Sequence, residues 1–257
     1  MPKFSDLRST IWRYAQRPGP STLNTNLIAS WPLDDQGTFD RQDFAGSELD
    51  LTNINGATNF VGDSGTRFVW SSQQRLETDF ATAPVLYGSA TDDFSIAVSF
   101  KVISWPVTSG LITPIVSITN FTTARGWMVG VLPDTVSPAR GATFHTTTNG
   151  SDTLRIDGPV IALNTWNHYV FRFDSSDVGS EYKLYVNGET STPVSNAAGF
   201  HRPTTIDFNV ASYVNTGANR IHGDVAVKNI NMWDRTLTDE EVLEWYNGGE
   251  PLSIPFI

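Results

Sequence analysis

One short motif in the sequence has the residue types of a nucleophilic site. Residues 62–65 read Gly-Asp-Ser-Gly, the tetrapeptide that surrounds the reactive serine of trypsin-like proteases. A serine hydroxyl attacks a carbonyl only when a nearby base takes its proton and a third group orients that base. No histidine context of the protease type and no cysteine framework accompany Ser64. A β-turn is therefore the favoured interpretation of this segment.

The histidines and cysteines predict neither a metal centre nor a redox site. His145, His168, His201 and His222 are never two or four positions apart, so their spacing does not place two imidazoles on one zinc ion. The chain has no cysteine, which excludes thiol catalysis, disulfides and thiolate-bound zinc. No glycine-rich phosphate loop occurs. We therefore predict no cofactor, and we interpret His168 as a histidine packed in the core or on a face of a sheet.

Four ring side chains are candidates for contact with a sugar. They fall at predicted strand ends or in loops, where an exposed ring can stack on a saccharide. The alternative interpretation is that each ring caps the core of the fold, and the sequence leaves both open. The candidate glycan-binding residues are Trp105, Phe121, Trp127 and His145.

The first 20 residues differ from the rest of the chain in charge and in pattern. Four basic residues and one acidic residue give them a charge of +3, so the remainder of a chain with a net charge of −10 carries −13. Apolar residues follow helical spacing until residues 18–20 (Pro-Gly-Pro) end the pattern. A helix this short is marginal alone, so it must dock on the body of this protein or on another chain. The candidate partner-docking residues are Leu7, Arg8, Ile11, Arg13, Tyr14 and Arg17.

The composition of the body indicates a β-rich fold and limits its partners. Charged residues make up 17% of the chain, below the roughly 25% of an average globular protein. An acidic body is repelled by nucleic acid and by anionic membrane surfaces. We therefore predict neither nucleic acid nor membrane as a partner.

From residue 27 onward, short runs of alternating apolar and polar residues are separated by turn residues, a pattern typical of an all-β sandwich. Pro114 requires that its strand lie at an edge or contain a bulge. Asn187 and Gly188 together predict a tight hairpin turn, because both positions need a positive φ. The predicted strands are 27–32, 67–70, 94–102, 111–118, 127–132, 166–173, 182–186, 206–212 and 225–233.

The body has one strong helix signal, close to its end. Thr238 and Glu241 match a Thr-x-x-Glu capping box, Leu237 can pack on Val242, and Gly248 ends the pattern. We therefore divide the chain into an N-terminal arm and linker (1–26) and one β-domain (27–257).

Three segments, taken in order, resemble concanavalin A-like jelly rolls of the laminin-G and pentraxin type. They are residues 29–34 (Ala-Ser-Trp-Pro-Leu-Asp), residues 164–171 followed by 184–188, and residues 230–242. The resemblance spans roughly residues 27 to 249 and implies that Trp166 and Trp233 lie in or near the core. The predicted fold class is all-β: a two-sheet antiparallel jelly-roll sandwich with a short C-terminal helix and an N-terminal helical arm.

The sequence departs from the catalytic pattern of this superfamily. Its glycosidases place two glutamates on one strand in a Glu-x-Asp-x-(x)-Glu pattern, so that both carboxylates face the substrate. Here Glu48-Leu49-Asp50 is followed by Thr52 and Asn53 where the second glutamate belongs. We therefore predict that the protein is not an enzyme.

The resemblance also raises the question of calcium, which many relatives bind at the rim of the sandwich. The Glu-Gln-Asp loop that builds part of the pentraxin site is missing. Calcium needs several oxygens close together, and carboxylates for a rim ion could come from Asp152, Asp174 and Asp177. We predict no metal site, with a rim calcium ion as the alternative.

The functional prediction combines the lectin-like fold with the start of the chain. The first residues lack the apolar segment of a signal peptide, and sandwiches of this kind without export signals are familiar in bacteriophage particles, which leave the cell by lysis. We predict a non-catalytic component of the virion surface, a capsid decoration or tail-associated protein attached through its arm. Its partners would be other virion proteins and host surface glycans, and it would act as a homo-oligomer or in multiple copies. The alternative is an extracellular localisation as a soluble glycan-binding lectin or adhesion module.

Overall fold

The computed structural model describes residues 21–34, 40–60, 64–78, 93–105, 111–120, 124–133, 135, 139–147, 153–179, 181–194, 207–216 and 219–252. Within these ranges the chain forms two β-sheets, one α-helix and short 3-10 turns. The arm residues 1–20, Phe121 and Asp152 lie outside the described residues, so the expectations placed on them stay predictions. In the described part, no helix has the length and apolar character needed to cross a membrane.

The first sheet contains eight of the described strands, numbered in chain order. They run β13-β12-β11-β6-β17-β4-β3 across the sheet, and β1 also pairs with β17. All of these pairings are antiparallel. The bounds are β1 (Leu27–Trp31), β3 (Thr58–Asn59), β4 (Thr66–Phe68), β6 (Phe94–Ser104), β11 (Asn167–Phe173), β12 (Tyr182–Val186), β13 (Glu189–Thr190) and β17 (Asp224–Trp233).

The second sheet contains nine of the described strands. Its order is β10-β9-β8-β7-β14-β5-β2, with β15 and β16 joined beside β7. The single parallel contact among these strands joins β15 to β7. The bounds are β2 (Thr52–Ile54), β5 (Arg75–Thr78), β7 (Thr113–Asn120), β8 (Ala124–Val131), β9 (Gly141–Thr147), β10 (Thr153–Val160), β14 (Phe208–Val210), β15 (Ser212–Thr216) and β16 (Asn219–His222).

The two sheets pack face to face over an aromatic core. The rings of Phe144 on the second sheet and Phe171 on the first stack in parallel, with their centroids 3.4 Å apart. Trp31 and Phe208 form a second stacked pair across the sheets, with centroids 5.1 Å apart. Alternate residues of each strand supply this core, as the period-two pattern of β6 predicted. The all-β jelly-roll prediction is confirmed.

A second buried cluster lies on the outer face of the first sheet, beneath the helix α1 (Asp239–Tyr246). Thr238 caps this helix, and the side chain of Glu241 returns to the Thr238 backbone N–H, so the predicted capping box is confirmed. Leu237 and Val242 are both buried in the cluster. Its members are Leu23, Ala97, Val170, Tyr185, Trp233, Leu237, Val242 and Trp245.

The turn predictions are also confirmed. Asn187 and Gly188 both have positive φ, 53° and 80°, and they join β12 to β13 as a hairpin. Pro114 lies in the interior of the second sheet, where β7 pairs with both β8 and β14. The register of β7 shifts between Pro114 and Val116. This bulge accommodates a residue that has no backbone N–H to donate.

Candidate functional site

Two of the rings predicted to contact a glycan lie within strands of the second sheet, and of these His145 is half-buried. Trp127 is fully buried, and its ring packs among Phe94, Phe144 and Phe208 with centroids 5.7, 6.1 and 6.3 Å away. His145 lies in the middle of β9, paired with Met128 on one side and Arg155 on the other. The prediction that these two residues stand at strand ends or in loops is therefore wrong, and the Trp127 ring is not exposed.

Trp105 lies at the position that the sequence predicted, directly after β6. Its ring is partly buried and packs on the core, and the Arg140 guanidinium lies 5.1 Å from the ring centroid. The core and this cation therefore both contact the indole. A glycan contact at Trp105 stays a prediction.

The structure places a different tryptophan on the outer surface of the first sheet. Trp166 is half-buried and is absent from the core clusters, so of the predicted positions in or near the core it occupies one beside the sheet. Side chains on a strand alternate between faces, and Trp166 falls in the same phase as His168, Val170 and Arg172. Those three lie on the outer side, whereas Tyr169 belongs to the core between the sheets.

Two lysines flank the Trp166 ring. The ammonium of Lys228 lies 4.3 Å from the ring centroid, and that of Lys101 lies 5.0 Å from it. Both distances are within the range of a cation–π interaction. Lys101 also lies 5.1 Å from the centroid of Phe60. We call the surface formed by Phe60, Ser64, Lys101, Trp166 and Lys228 the lysine–tryptophan patch.

Strand register brings these residues together from distant parts of the chain. Ser99 of β6 pairs with His168 of β11 on one side and with Lys228 of β17 on the other. Lys101 lies two positions farther along β6 on the same face. The patch therefore lies on the three central strands of an ordered sheet, which fixes the spacing of its side chains.

The Ser64–Gly65 turn closes one side of the patch. The Lys228 ammonium donates a hydrogen bond to the Ser64 hydroxyl oxygen at 2.7 Å. Gly65 has a φ of +100°, and a β-carbon there would lie 2.8 Å from the Val227 carbonyl oxygen and 3.2 Å from the Trp166 ring. Only glycine allows this approach. Ser64 and Gly65 thus build one side of the patch, and the Ser64 hydroxyl accepts a hydrogen bond from a lysine.

His168 adds a neutral polar group beside the patch. Its Nδ1 lies 2.9 Å from the Ser99 hydroxyl, and its backbone N–H donates to Asn187. Burial, and then the positive charge of Lys228, lower the pKa of His168 to about 4. The imidazole is therefore uncharged at neutral pH.

The histidines predict a loss of stability in mild acid. Burial lowers the pKa of His145, His168 and His222 from 6.5 to about 4. Between these values the unfolded chain binds protons that the folded chain does not, so the free energy of unfolding decreases as the pH falls. We expect His168 alone to account for about 1–2 kcal/mol of loss between pH 7 and pH 5. Urea denaturation of His168→Gln should show a correspondingly smaller loss than the wild type, and an equal loss would contradict the assignment.

The carboxylates named for calcium already have other partners. Asp174 accepts hydrogen bonds from the backbone N–H and the hydroxyl of Ser176, and Asp177 pairs with the Lys183 ammonium at 3.0 Å. Within the described ranges, no group of three or more His, Cys, Asp or Glu side chains is placed to hold a metal ion. Asp152 lies outside the described residues, and calcium binding at the rim stays a prediction.

The fragment of the glycosidase pattern is not built as a catalytic pair. Glu48 is exposed and has a φ of 56°, which places it in a turn. Asp50 accepts a hydrogen bond from the Asp43 backbone N–H at 2.9 Å. Two carboxylates side by side on one strand, as retaining hydrolysis requires, do not occur at this place.

The architecture and the surface together define a concanavalin A-like sandwich that presents a cationic aromatic surface on one sheet. A family model of laminin-G domains, described as the concanavalin A-like lectin/glucanases superfamily, matches residues 56–243. This chain belongs to that family. The resemblance seen in the three sequence segments is confirmed.

Solved structures with the same fold are binding domains of clostridial toxins. One is the binding domain of Paraclostridial Mosquitocidal Protein 1, at 13% identity and a TM-score of 0.62, with 86% of this chain and 51% of that chain covered. Another is the binding domain of Botulinum Neurotoxin DC in complex with SialylT, at 13% identity and a TM-score of 0.61, with 86% and 50% covered. A third is the same toxin's binding domain in complex with rat synaptotagmin II, at 13% identity and a TM-score of 0.62, with 85% and 51% covered.

These likenesses establish the fold alone. This chain spans about half the length of the solved structures that it matches. No curated protein sequence matches it. The ligands of the toxin complexes are therefore not transferred to this chain by similarity, and its function must be argued from its own residues.

Proposed function

We propose that this protein is a non-catalytic, saccharide-binding component of a virion surface, a bacteriophage capsid decoration or tail-associated protein attached through its N-terminal arm. The observation that carries the binding part is the lysine–tryptophan patch. A half-exposed indole offers an apolar face to a sugar ring, while the neighbouring ammonium and hydroxyl groups offer hydrogen bonds to its oxygens. This combination of one ring and a few polar groups is typical of specific ligand sites.

Two further observations support a binding role without catalysis. The segment that begins the glycosidase pattern has no second glutamate and forms a turn. At least two solved structures of the same fold are binding domains. Two of them form complexes with SialylT and with synaptotagmin. Binding of glycans or proteins is thus compatible with this architecture.

The binding proposal predicts that saccharide affinity depends on Trp166. Loss of one stacking ring weakens the binding free energy by about 0.5–1.5 kcal/mol or more. Trp166→Ala should therefore bind a saccharide about tenfold more weakly than the wild type does. The measurement is titration of the oligosaccharides that bind best on a glycan panel, with reducing ends assayed in the same samples. We expect no release of reducing ends.

Trp70→Ala is the matched control for this experiment. Trp70 is a surface tryptophan on a different turn, with 37% of its area exposed, and its removal should leave affinity unchanged. Equal affinities of the wild type and Trp166→Ala would contradict the proposal. Release of reducing ends at enzymatic rates would contradict its non-catalytic part.

The proposal of attachment through the arm is supported by the contacts that residues 22–24 make with the sandwich. Leu23 is buried in the outer cluster, its carbonyl accepts from the Trp233 indole N–H at 2.6 Å, and the Thr22 hydroxyl donates to Glu241. Residues 22–24 are therefore anchored to the sandwich beside α1. A basic arm that precedes this anchor would start on the outer side of the first sheet, where it could reach a partner.

The arm proposal predicts that deletion of residues 1–20 separates attachment from folding. Because the Thr22–Asn24 anchor is retained, the melting temperature should change by less than about 3 °C. Purified particles of the source virus that encodes the truncated protein should lack this subunit. A clear fall in melting temperature with normal incorporation would show instead that the arm belongs to the body of the protein.

A further inference from the structure

We propose that residues 21–25, which we call the strap, and the helix α1 form a clasp that closes and opens as one unit. The strap contains one 3-10 turn (Thr22–Asn24). Its Thr22 contacts Glu241 of α1, although 219 positions separate the two residues along the chain. The clasp is a conformational device of the fold, and it does not rest on the proposed function because it needs neither a saccharide nor a particle.

One ion pair joins the strap to the helix. Arg235 donates two hydrogen bonds to Glu241, from Nη1 to Oε2 at 2.7 Å and from Nη2 to Oε1 at 2.8 Å. The same guanidinium donates to the carbonyl oxygens of Thr22 and Thr25, both at 2.9 Å. The Thr22 hydroxyl donates to the Glu241 carboxylate. Both members of the ion pair therefore bind the strap directly.

The carboxylate that binds the strap also caps the helix. Glu241 accepts a hydrogen bond from the Thr238 backbone N–H at 2.9 Å, which is one half of the capping box. Burial alone would raise the pKa of Glu241, but hydrogen bonds from Arg235, Thr22 and Thr238 hold this pKa below its usual value. The group is therefore ionised at neutral pH. Release of the strap would leave a buried charge with fewer donors, which is unfavourable for the helix cap as well.

Apolar contacts place the strap and the helix in the same cluster. Leu23 is fully buried in the outer cluster together with Val242 and Trp245 of α1. This cluster is separate from the core between the two sheets. A turn of three residues and a helix of eight residues are both too short to be stable alone. Each therefore depends on an apolar surface that the other helps to build.

The sandwich limits how far the opening extends. On the side of the strap, β1 begins at Leu27 and pairs with β17. On the side of the helix, Arg172 donates to the Leu237 carbonyl oxygen and pairs with Asp239, both at 2.6 Å. Opening of the clasp therefore leaves both sheets paired, as expected of a local unit that opens at a lower free energy than the whole domain.

Hydrogen exchange of the full chain tests the coupling from both sides. Thr22→Val removes the hydroxyl that binds Glu241 and keeps the shape of the side chain. Glu241→Gln removes the charge that binds Arg235, although glutamine can still cap a helix. A hydrogen bond to a charged group changes an opening equilibrium about tenfold. We therefore expect each variant to accelerate exchange about tenfold in both peptides 21–27 and 238–247, and to leave peptides of β8 and β9 unchanged.

Thr165→Val is the matched control for these variants. The Thr165 hydroxyl donates to the Leu163 carbonyl oxygen in an exposed turn, so its loss should change exchange of the strap and helix peptides by less than about twofold. Melting curves of all three variants identify any loss of folding.

Several results would overturn the clasp. Acceleration in the strap peptide alone for Thr22→Val, or in the helix peptide alone for Glu241→Gln, would show that the two segments open independently. Equal acceleration in β8 and β9 would show that they open only with the whole domain. Unchanged exchange of both peptides in both variants would show that the ion pair does not hold the strap. Since the measurement involves no saccharide and no particle, each of these results leaves the proposed function as it stands.

Discussion

Replacement of Trp233 by alanine should lower the free energy of unfolding by about 3–5 kcal/mol, the range for removal of a fully buried tryptophan. Trp233 is completely buried beneath α1 in the cluster that contains Leu237 and Val242. Its indole N–H donates to the Leu23 carbonyl oxygen at 2.6 Å. The variant would therefore contain a cavity and would leave a buried carbonyl without its donor. Urea denaturation at neutral pH measures the effect.

Trp166→Ala is the control for this experiment, because the same side chain is removed from a half-exposed position. Surface substitutions usually change the free energy of unfolding by less than about 1 kcal/mol. Trp166→Ala also removes the contacts of the ring with Lys101, Lys228 and Gly65, which lowers the free energy of unfolding further. We expect Trp166→Ala to lower the free energy of unfolding by less than about 2 kcal/mol in total. Equal losses of unfolding free energy in Trp166→Ala and Trp233→Ala would show that Trp166 lies in the interior. They would contradict the assignment of the lysine–tryptophan patch to the surface.

Replacement of Trp127 by alanine should also lower the free energy of unfolding by about 3–5 kcal/mol. It should leave the affinity for a saccharide unchanged. The ring is fully buried between the sheets, in contact with Phe94, Phe144 and Phe208. A sugar therefore has no access to it. Removal of the ring opens a cavity in the centre of the sandwich, far from any exposed position.

The measurement pairs the melting curve of Trp127→Ala with its saccharide affinity at a temperature where the variant is folded. A large fall in melting temperature with wild-type affinity is expected. Full stability together with lost saccharide binding would instead support the original interpretation of Trp127 as a ligand-contacting ring.

Local signals were sufficient to predict much of the fold. The alternation in β6 places its apolar side chains on one face whatever the neighbouring strands are. The turn at Asn187 and Gly188 needs two positive φ angles that few other residue pairs adopt. The capping box of α1 is formed by residues three positions apart. Each of these features depends on a few adjacent residues, so the sequence contains all the information that is needed.

Errors arose where a short apolar run gave the wrong strand bounds. The predicted strand 127–132 places Trp127 at an end, but β8 begins at Ala124, which moves Trp127 to the middle of the sheet. The strand β9, which contains His145, was not predicted, because its two apolar side chains, Ala142 and Phe144, stand among glycine and threonine. Strand pairing with β8 and β10 fixes this segment, and pairing partners are not visible locally.

The patch itself depends on strand order, which the sequence does not show directly. Lys101 and Lys228 are neighbours only because β6 and β17 pair in one register. A signal for Trp166 was present, however, since its position alternates with the core residues Tyr169 and Phe171 and coincides in phase with His168. Application of this alternation would have placed Trp166 on the outer face.

The most direct test of the central claim is a crystal structure of the protein bound to the oligosaccharide that it binds with the highest affinity. We predict that one sugar ring lies on the Trp166 indole and that at least one of its oxygens lies within hydrogen-bonding distance of the Lys101 or Lys228 ammonium. A saccharide bound at the Trp105 end of the sandwich, with the Trp166 ring uncovered, would contradict the account.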